Sequence, residues 1–119
     1  MSIIKKLIAK GIPTSTGIAK GKVLVVFDPY KFDNVEFLSS GNFILVTTYT
    51  NPDFEMIMFK CSGFISEKGG VTCHMSIVAR ELNKPAVVAV EGATKIFKEN
   101  SELEINGYTG EIFEIKTER

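Results

Sequence analysis

Two rhythms of apolar residues alternate along this chain. Short continuous runs predict strands, and positions spaced three or four apart predict helices. Lys22 to Phe27 is β-branched and apolar and reads as a strand. Phe43 to Thr47 is a second continuous run, as expected of a strand buried on both faces. Asn51-Pro52-Asp53 then opens a helix, because asparagine caps, proline suits the first turn and an acid suits the positive end of the dipole. Phe54, Ile57, Met58 and Cys61 give that helix one apolar face, and Gly63 ends it. Phe64-Ile65-Ser66 is a short third strand leading to Gly69-Gly70. The next helix follows His74, with Met75, Val78, Ala79 and Leu82 as its buried stripe. Asn83 suits a left-handed C′ position, and Pro85 prevents continuation. Ala86 to Val90 predicts a fourth strand. Leu103-Glu104-Ile105 and Glu111 to Ile115 flank Asn106-Gly107-Tyr108-Thr109-Gly110 as a closing hairpin.

The remaining segments carry weaker patterns. Ile3, Ile4, Leu7 and Ile8 have helical spacing, but the run is short and stops at Gly11-Ile12-Pro13. Thr14 to Gly21 is rich in turn formers, and Asp28 to Asn42 reads as a loop with a short turn of helix. There is no internal repeat, low-complexity tract or linker, so residues 1–119 are expected to form a single domain. Helices between strands in the middle and strands at the ends predict an α/β fold, a mixed sheet with helices packed against it.

Composition narrows the function. Fourteen basic and fourteen acidic residues cancel, with no basic stripe, which argues against a nucleic-acid partner. No apolar run approaches the ~20 residues that cross a bilayer, and the start lacks a secretory stretch. Two cysteines without a signal peptide predict a reducing, cytoplasmic location, where a Cys61–Cys73 disulfide is disfavoured. One histidine and two separated cysteines do not supply a zinc site, so no metal is expected.

That one histidine is the centre of the chemistry. Gly69-Gly70-Val71-Thr72-Cys73-His74 places it where a helix begins, with unpaired N–H groups and the positive end of the dipole beside it. With Thr72 as N-cap, its hydroxyl would accept from the N–H of His74 or Met75. Gly69 and Gly70, lacking β-carbons, would let another group approach the backbone. A neutral imidazole has the lone pair to attack phosphorus, and the anionic product would gain from the helix terminus. A histidine that merely caps or packs is the competing reading, and spacing alone does not decide.

The stretch from Gly69 to Leu82, followed by Pro85-Ala86-Val87-Val88, resembles the phosphohistidine signature of phosphoenolpyruvate-utilising enzymes: phosphoenolpyruvate synthase, pyruvate phosphate dikinase and enzyme I of the sugar phosphotransferase system. Thr72-Cys73-His74 looks most like the synthase branch. Gly11-Ile12-Pro13 with Gly17 to Gly21, Ile44 to Thr47 with Pro52-Asp53, and Gly107 with Gly110 extend the resemblance over nearly the whole chain. It implies a swivelling β/β/α phosphohistidine domain in which His74 is phosphorylated through Nε2. The implied partners are an ATP-binding, ATP-grasp-like protein and a phosphoenolpyruvate/pyruvate-binding barrel. Nucleotide and Mg2+ would be bound there, with no cofactor on this domain. Met75-Ser76 departs from the two small residues common in the family, and Asn83-Lys84 departs from its glycine-led C-cap.

Around His74, the resemblance gives Thr72 an orienting or phosphate-bonding role and puts Gly69, Gly70, Cys73 and Arg80 at the phosphate. Cys73 has a plain alternative as a small packed residue. Arg80 lies six residues on, roughly 9 Å up the helix and about 120° away from His74, which favours a docking or structural role. The expected function is a phosphocarrier, a phosphotransferase component without turnover of its own. The alternative is a non-catalytic regulatory or binding module that keeps the fold without being phosphorylated.

Overall fold

The computed structural model describes residues 2–32 and 42–118. Its elements in chain order are β1 (Ser2–Lys10), β2 (Ile12–Ser15), β3 (Ile18–Val25), β4 (Phe43–Thr47), a 3-10 turn (Pro52–Phe54) running into α1 (Glu55–Lys60), β5 (Gly63–Ser66), α2 (His74–Leu82), β6 (Ala86–Val88), α3 (Ala93–Ile96), β7 (Glu102–Asn106) and β8 (Glu111–Glu118). Among the described residues the strands form one mixed sheet in the order β1-β8-β7-β3-β4-β5-β6-β2. Strands β3 to β6 run parallel to one another, and the other pairings are antiparallel.

The unbroken apolar run of β4 has a direct physical cause: both of its faces are covered. Phe43 and Leu45 join Phe64, Ala86 and Val88 under α1 and α2, where they meet Ile57, Met58, Met75 and Ala79. Ile44 and Val46 point the other way, into a second core with Ile65, Val87, Leu103, Ile105, Ile112 and Phe97. The stripe Phe54, Ile57, Met58 and Cys61 is buried as its spacing predicts. Asn83 takes the left-handed conformation at the end of α2, with φ 57° and ψ 43°.

The weaker patterns resolve through long-range pairing. Residues 2–10 are a strand, because the eight residues of β8 offer a neighbouring backbone to pair with; a register shift between Leu7 and Ala9 breaks the period-two alternation that would have revealed it. The turn-rich segment from Thr14 to Gly21 contains the end of β2 and the start of β3. The helix α3 is an element that the apolar pattern did not predict. Most of the predicted loop from Asp28 to Asn42 lies outside the described residues; at its start, Lys31 N–H donates to the Asp28 carbonyl. The fourth strand stops at Val88, two residues earlier than the pattern suggests, and Ala89 turns to φ 59°.

Strands β1 and β2 lie at opposite ends of the sheet order, yet only Gly11 separates them in the chain. The sheet therefore curls until its two ends meet. Gly11 N–H donates to the Gly110 carbonyl there at 2.9 Å. A β-carbon on Gly110 would come within 2.1 Å of the Gly11 oxygen, so the closure demands glycine. No helix among the described residues is long and apolar enough to cross a membrane.

Candidate functional site

Strands β4 and β5 are parallel neighbours, with Thr47 opposite Ser66, so they end at the same edge of the sheet. Each then leads into a helix. The chain after β4 passes through Thr50 to the first turn of α1 and Glu55; the chain after β5 passes through Gly69-Gly70 to the first turn of α2 and His74. Two helix beginnings thus meet beyond the carboxyl ends of parallel strands, where ligands collect in open α/β sheets.

His74 is held from both sides. Nδ1 lies 2.8 Å from the Thr50 hydroxyl, and Nε2 lies 2.9 Å from Oε2 of Glu55. The imidazole is 22 % exposed and the Glu55 side chain 52 % exposed. Thr50 is buried, so the Nδ1 edge faces inward and the Nε2 edge faces outward. Neither Thr50 nor Glu55 was singled out by the sequence. The helix-start signal at Asn51-Pro52 does put Glu55 in a first turn, but only the pairing of β4 with β5 brings that turn to His74.

The cap of α2 differs from expectation. Cys73, not Thr72, is the N-cap residue, in extended conformation with no side-chain capping bond. Thr72 lies exposed in the preceding turn. The reason lies in Ser76, which is fully buried and ties the turn together: its hydroxyl donates to Thr14 Oγ1 at 2.7 Å or to the Gly70 carbonyl at 2.8 Å, and it lies 3.2 Å from Cys73 Sγ. Burial raises the pKa of the Cys73 thiol; hydrogen bonds from the Ser76 hydroxyl and from the backbone N–H groups of Ser76, Gly70 and Met75 more than offset this, leaving it lowered. Cys61 is buried and its thiol is pushed up to about 12 by desolvation, with Lys84 opposing. Both cysteines are free.

The two glycines have different roles. Gly69 has φ 128°, and a β-carbon there would stand 2.8 Å from Cys73 Sγ. Gly70 has nothing within 4 Å of the β-carbon position, so the folded chain itself leaves that side open. Arg80 is turned to the backbone. Its Nη1 donates to the Thr14 carbonyl at 2.9 Å and its Nη2 to the Val71 carbonyl at 2.8 Å, so it clamps the turn before His74 onto β2. Met75 is in the core. Among the described residues no group of three or more His, Cys, Asp or Glu side chains is placed to hold a metal ion.

This arrangement can present one imidazole nitrogen to a group brought from outside. Comparison with known proteins agrees with the fold. Residues 40–110 match the family model described as PEP-utilising enzyme, mobile domain. The chain is 40 % identical over 114 residues to a probable phosphoenolpyruvate synthase of Archaeoglobus fulgidus, covering 96 % of this chain and 15 % of that protein. It is 39 % identical over 108 residues to the phosphoenolpyruvate synthase of Pyrococcus furiosus, covering 91 % and 13 %. It therefore spans about one seventh of the length of these relatives. A solution structure of Enzyme I superposes with a TM-score of 0.55 at 27 % identity, covering 61 % of this chain and 30 % of that one. The crystal structure of aconitase X from Thermococcus kodakaraensis superposes with a TM-score of 0.61 over 96 % of this chain and 99 % of that one, but at 18 % identity, which is a likeness of fold alone. The chain belongs to the family of mobile domains of PEP-utilising enzymes.

Proposed function

We propose that this chain is a phosphocarrier in which Nε2 of His74 accepts a phosphoryl group from one partner and donates it to another. The observation that carries the reading is the orientation of the ring: Thr50 holds Nδ1 on the buried side, so the nitrogen at the surface is Nε2. The ring needs no search for its reactive pose, and a positioned nucleophile gains rate through orientation. The first turn of α2 adds the favourable end of the dipole for the phosphoryl charge. Thr72, exposed in the turn two residues before the histidine, offers a hydroxyl to the transferred group, and the open side of Gly70 offers room for it.

The partners we propose are a nucleotide-binding unit, with its Mg2+, and a phosphoenolpyruvate/pyruvate-binding unit, following the names of the relatives. By itself the chain would have no turnover, and its contacts with both would be transient. Incubation with a candidate partner and its phosphoryl donor, followed by intact-mass measurement, tests this. An acid-labile, base-stable phosphoryl adduct that is lost in His74→Ala supports the carrier. One observation favours the second reading, a binding module that is never phosphorylated: the Glu55 carboxylate sits on the very nitrogen that must react. No adduct with any cognate partner, with normal function of His74→Ala, would establish it.

A further inference from the structure

The two contacts to the His74 ring differ in what they permit. A hydroxyl both donates and accepts, so Thr50 serves either tautomer of a neutral imidazole by rotating its hydrogen. An ionised carboxylate only accepts, so the 2.9 Å contact of Glu55 with Nε2 requires hydrogen on Nε2. Glu55 therefore selects the tautomer, and it selects the one whose lone pair is on Nδ1, against Thr50 on the buried side. Attack on phosphorus from Nε2 needs the other tautomer.

We propose that Glu55 is a positioning residue that gates His74: it keeps the unphosphorylated ring in the Nε2–H tautomer with the reactive nitrogen covered, and it leaves when a phosphoryl donor docks. Its side chain is half exposed, so swinging away strands no buried charge, while Thr50 keeps the ring in place. As Glu55 leaves, the Nε2 proton passes to water and the ring takes a proton back from water at Nδ1, where the N–H stays and donates a hydrogen bond to the Thr50 oxygen. The Nε2 lone pair then forms the N–P bond. The P–O bond to the donor, a phosphoanhydride or enol phosphate held by the partner, breaks, and the departing oxygen keeps the electron pair. The new phosphoryl oxygens repel the carboxylate, so the gate stays open until the group is passed on. The consequence for transfer rests on the phosphocarrier reading; the tautomer does not.

His74 is the only histidine in the chain, so long-range 1H–15N NMR of the full labelled chain reports this ring alone. At a pH where the ring is neutral, the wild type is expected to show Nε2–H. Glu55→Ala, which has no partner to offer, should shift the population toward Nδ1–H. Phosphoramidate, a small phosphoryl donor that needs no partner protein, should label Glu55→Ala about tenfold faster than wild type, the scale of one lost charge-assisted hydrogen bond, with His74→Ala as the blank. Nδ1–H in the wild type, or a Glu55→Ala variant labelled no faster, overturns the gate. If these results hold but no cognate partner phosphorylates the wild type, the carrier reading fails and the control of the ring by Glu55 stands.

Discussion

The Thr50 hydroxyl stands 2.8 Å from Nδ1 of His74, joining the end of one parallel strand's loop to the first helical turn after its neighbour. This is the contact that aims the ring. Thr50→Val keeps the shape and removes the hydrogen bond. Phosphorylation of His74 by a cognate partner should fall about fivefold, the scale of one hydrogen bond worth about 1 kcal/mol. Thermal stability should change by only a few degrees. Unchanged transfer in Thr50→Val would mean that the ring is oriented by something else.

Arg80 offers a second test, because its two guanidinium arms hold carbonyls of different segments, Thr14 and Val71. Arg80→Met keeps most of the stem and removes both bonds, with an expected cost of about 1–3 kcal/mol in urea unfolding at unchanged m-value. Arg80→Lys cannot span both carbonyls and should recover only part of the loss. A guanidinium that served only to bind phosphate would leave the urea midpoint unmoved.

The glycine pair separates folding from function. Gly69→Ala places a β-carbon at φ 128° and 2.8 Å from Cys73 Sγ, so it should destabilise by more than about 1 kcal/mol. Gly70→Ala meets nothing in the folded chain and should leave the unfolding midpoint within experimental error of wild type. If the open side of Gly70 receives the phosphoryl group, transfer should nevertheless drop in Gly70→Ala. Equal stability losses in the two variants would contradict this division.

The two thiols should titrate in opposite senses. At neutral pH, iodoacetamide followed by peptide mass analysis should find Cys73 modified well before Cys61, because Cys73 is the partly exposed thiol with the lowered pKa. Cys61, raised from 9.0 to about 12, also affects stability. Above pH 9 the unfolded chain releases this proton while the folded chain keeps it. The unfolded state then binds fewer protons, and stability falls as pH rises from about 9 to about 12. Cys61→Ala should flatten that part of the stability–pH curve. A slope identical to wild type would show that groups other than this thiol produce it; Lys84, lowered by burial in the folded chain, contributes the opposite slope.

Much of the architecture was legible because burial on both faces leaves a direct mark. Phe43 to Thr47 reads as a covered strand and is one, the stripe of the first main helix is buried throughout, and that of the second has Met75 and Ala79 buried with Val78 and Leu82 partly buried against the core. The histidine turn was equally plain, through Gly69-Gly70 and the helix after it. Residues 2–10 were not, because their exposed, bulged pairing with β8 imposes no clean period. The cap was misplaced by one residue because Ser76, a hydroxyl at a position that reads as part of the helix, turns inward to Thr14 and the Gly70 carbonyl.

Local sequence determined, to within a residue, where the two main helical runs begin and which nitrogen-bearing side chain stands at the start of α2, since capping, periodicity and glycine conformation act over a few residues. What surrounds that side chain was decided only by the tertiary structure. Thr50, Glu55 and the Thr14 carbonyl reach the histidine turn through the pairing of β4 with β5 and of β2 with β6, and strand pairing joins residues whose separation along the chain carries no local signal.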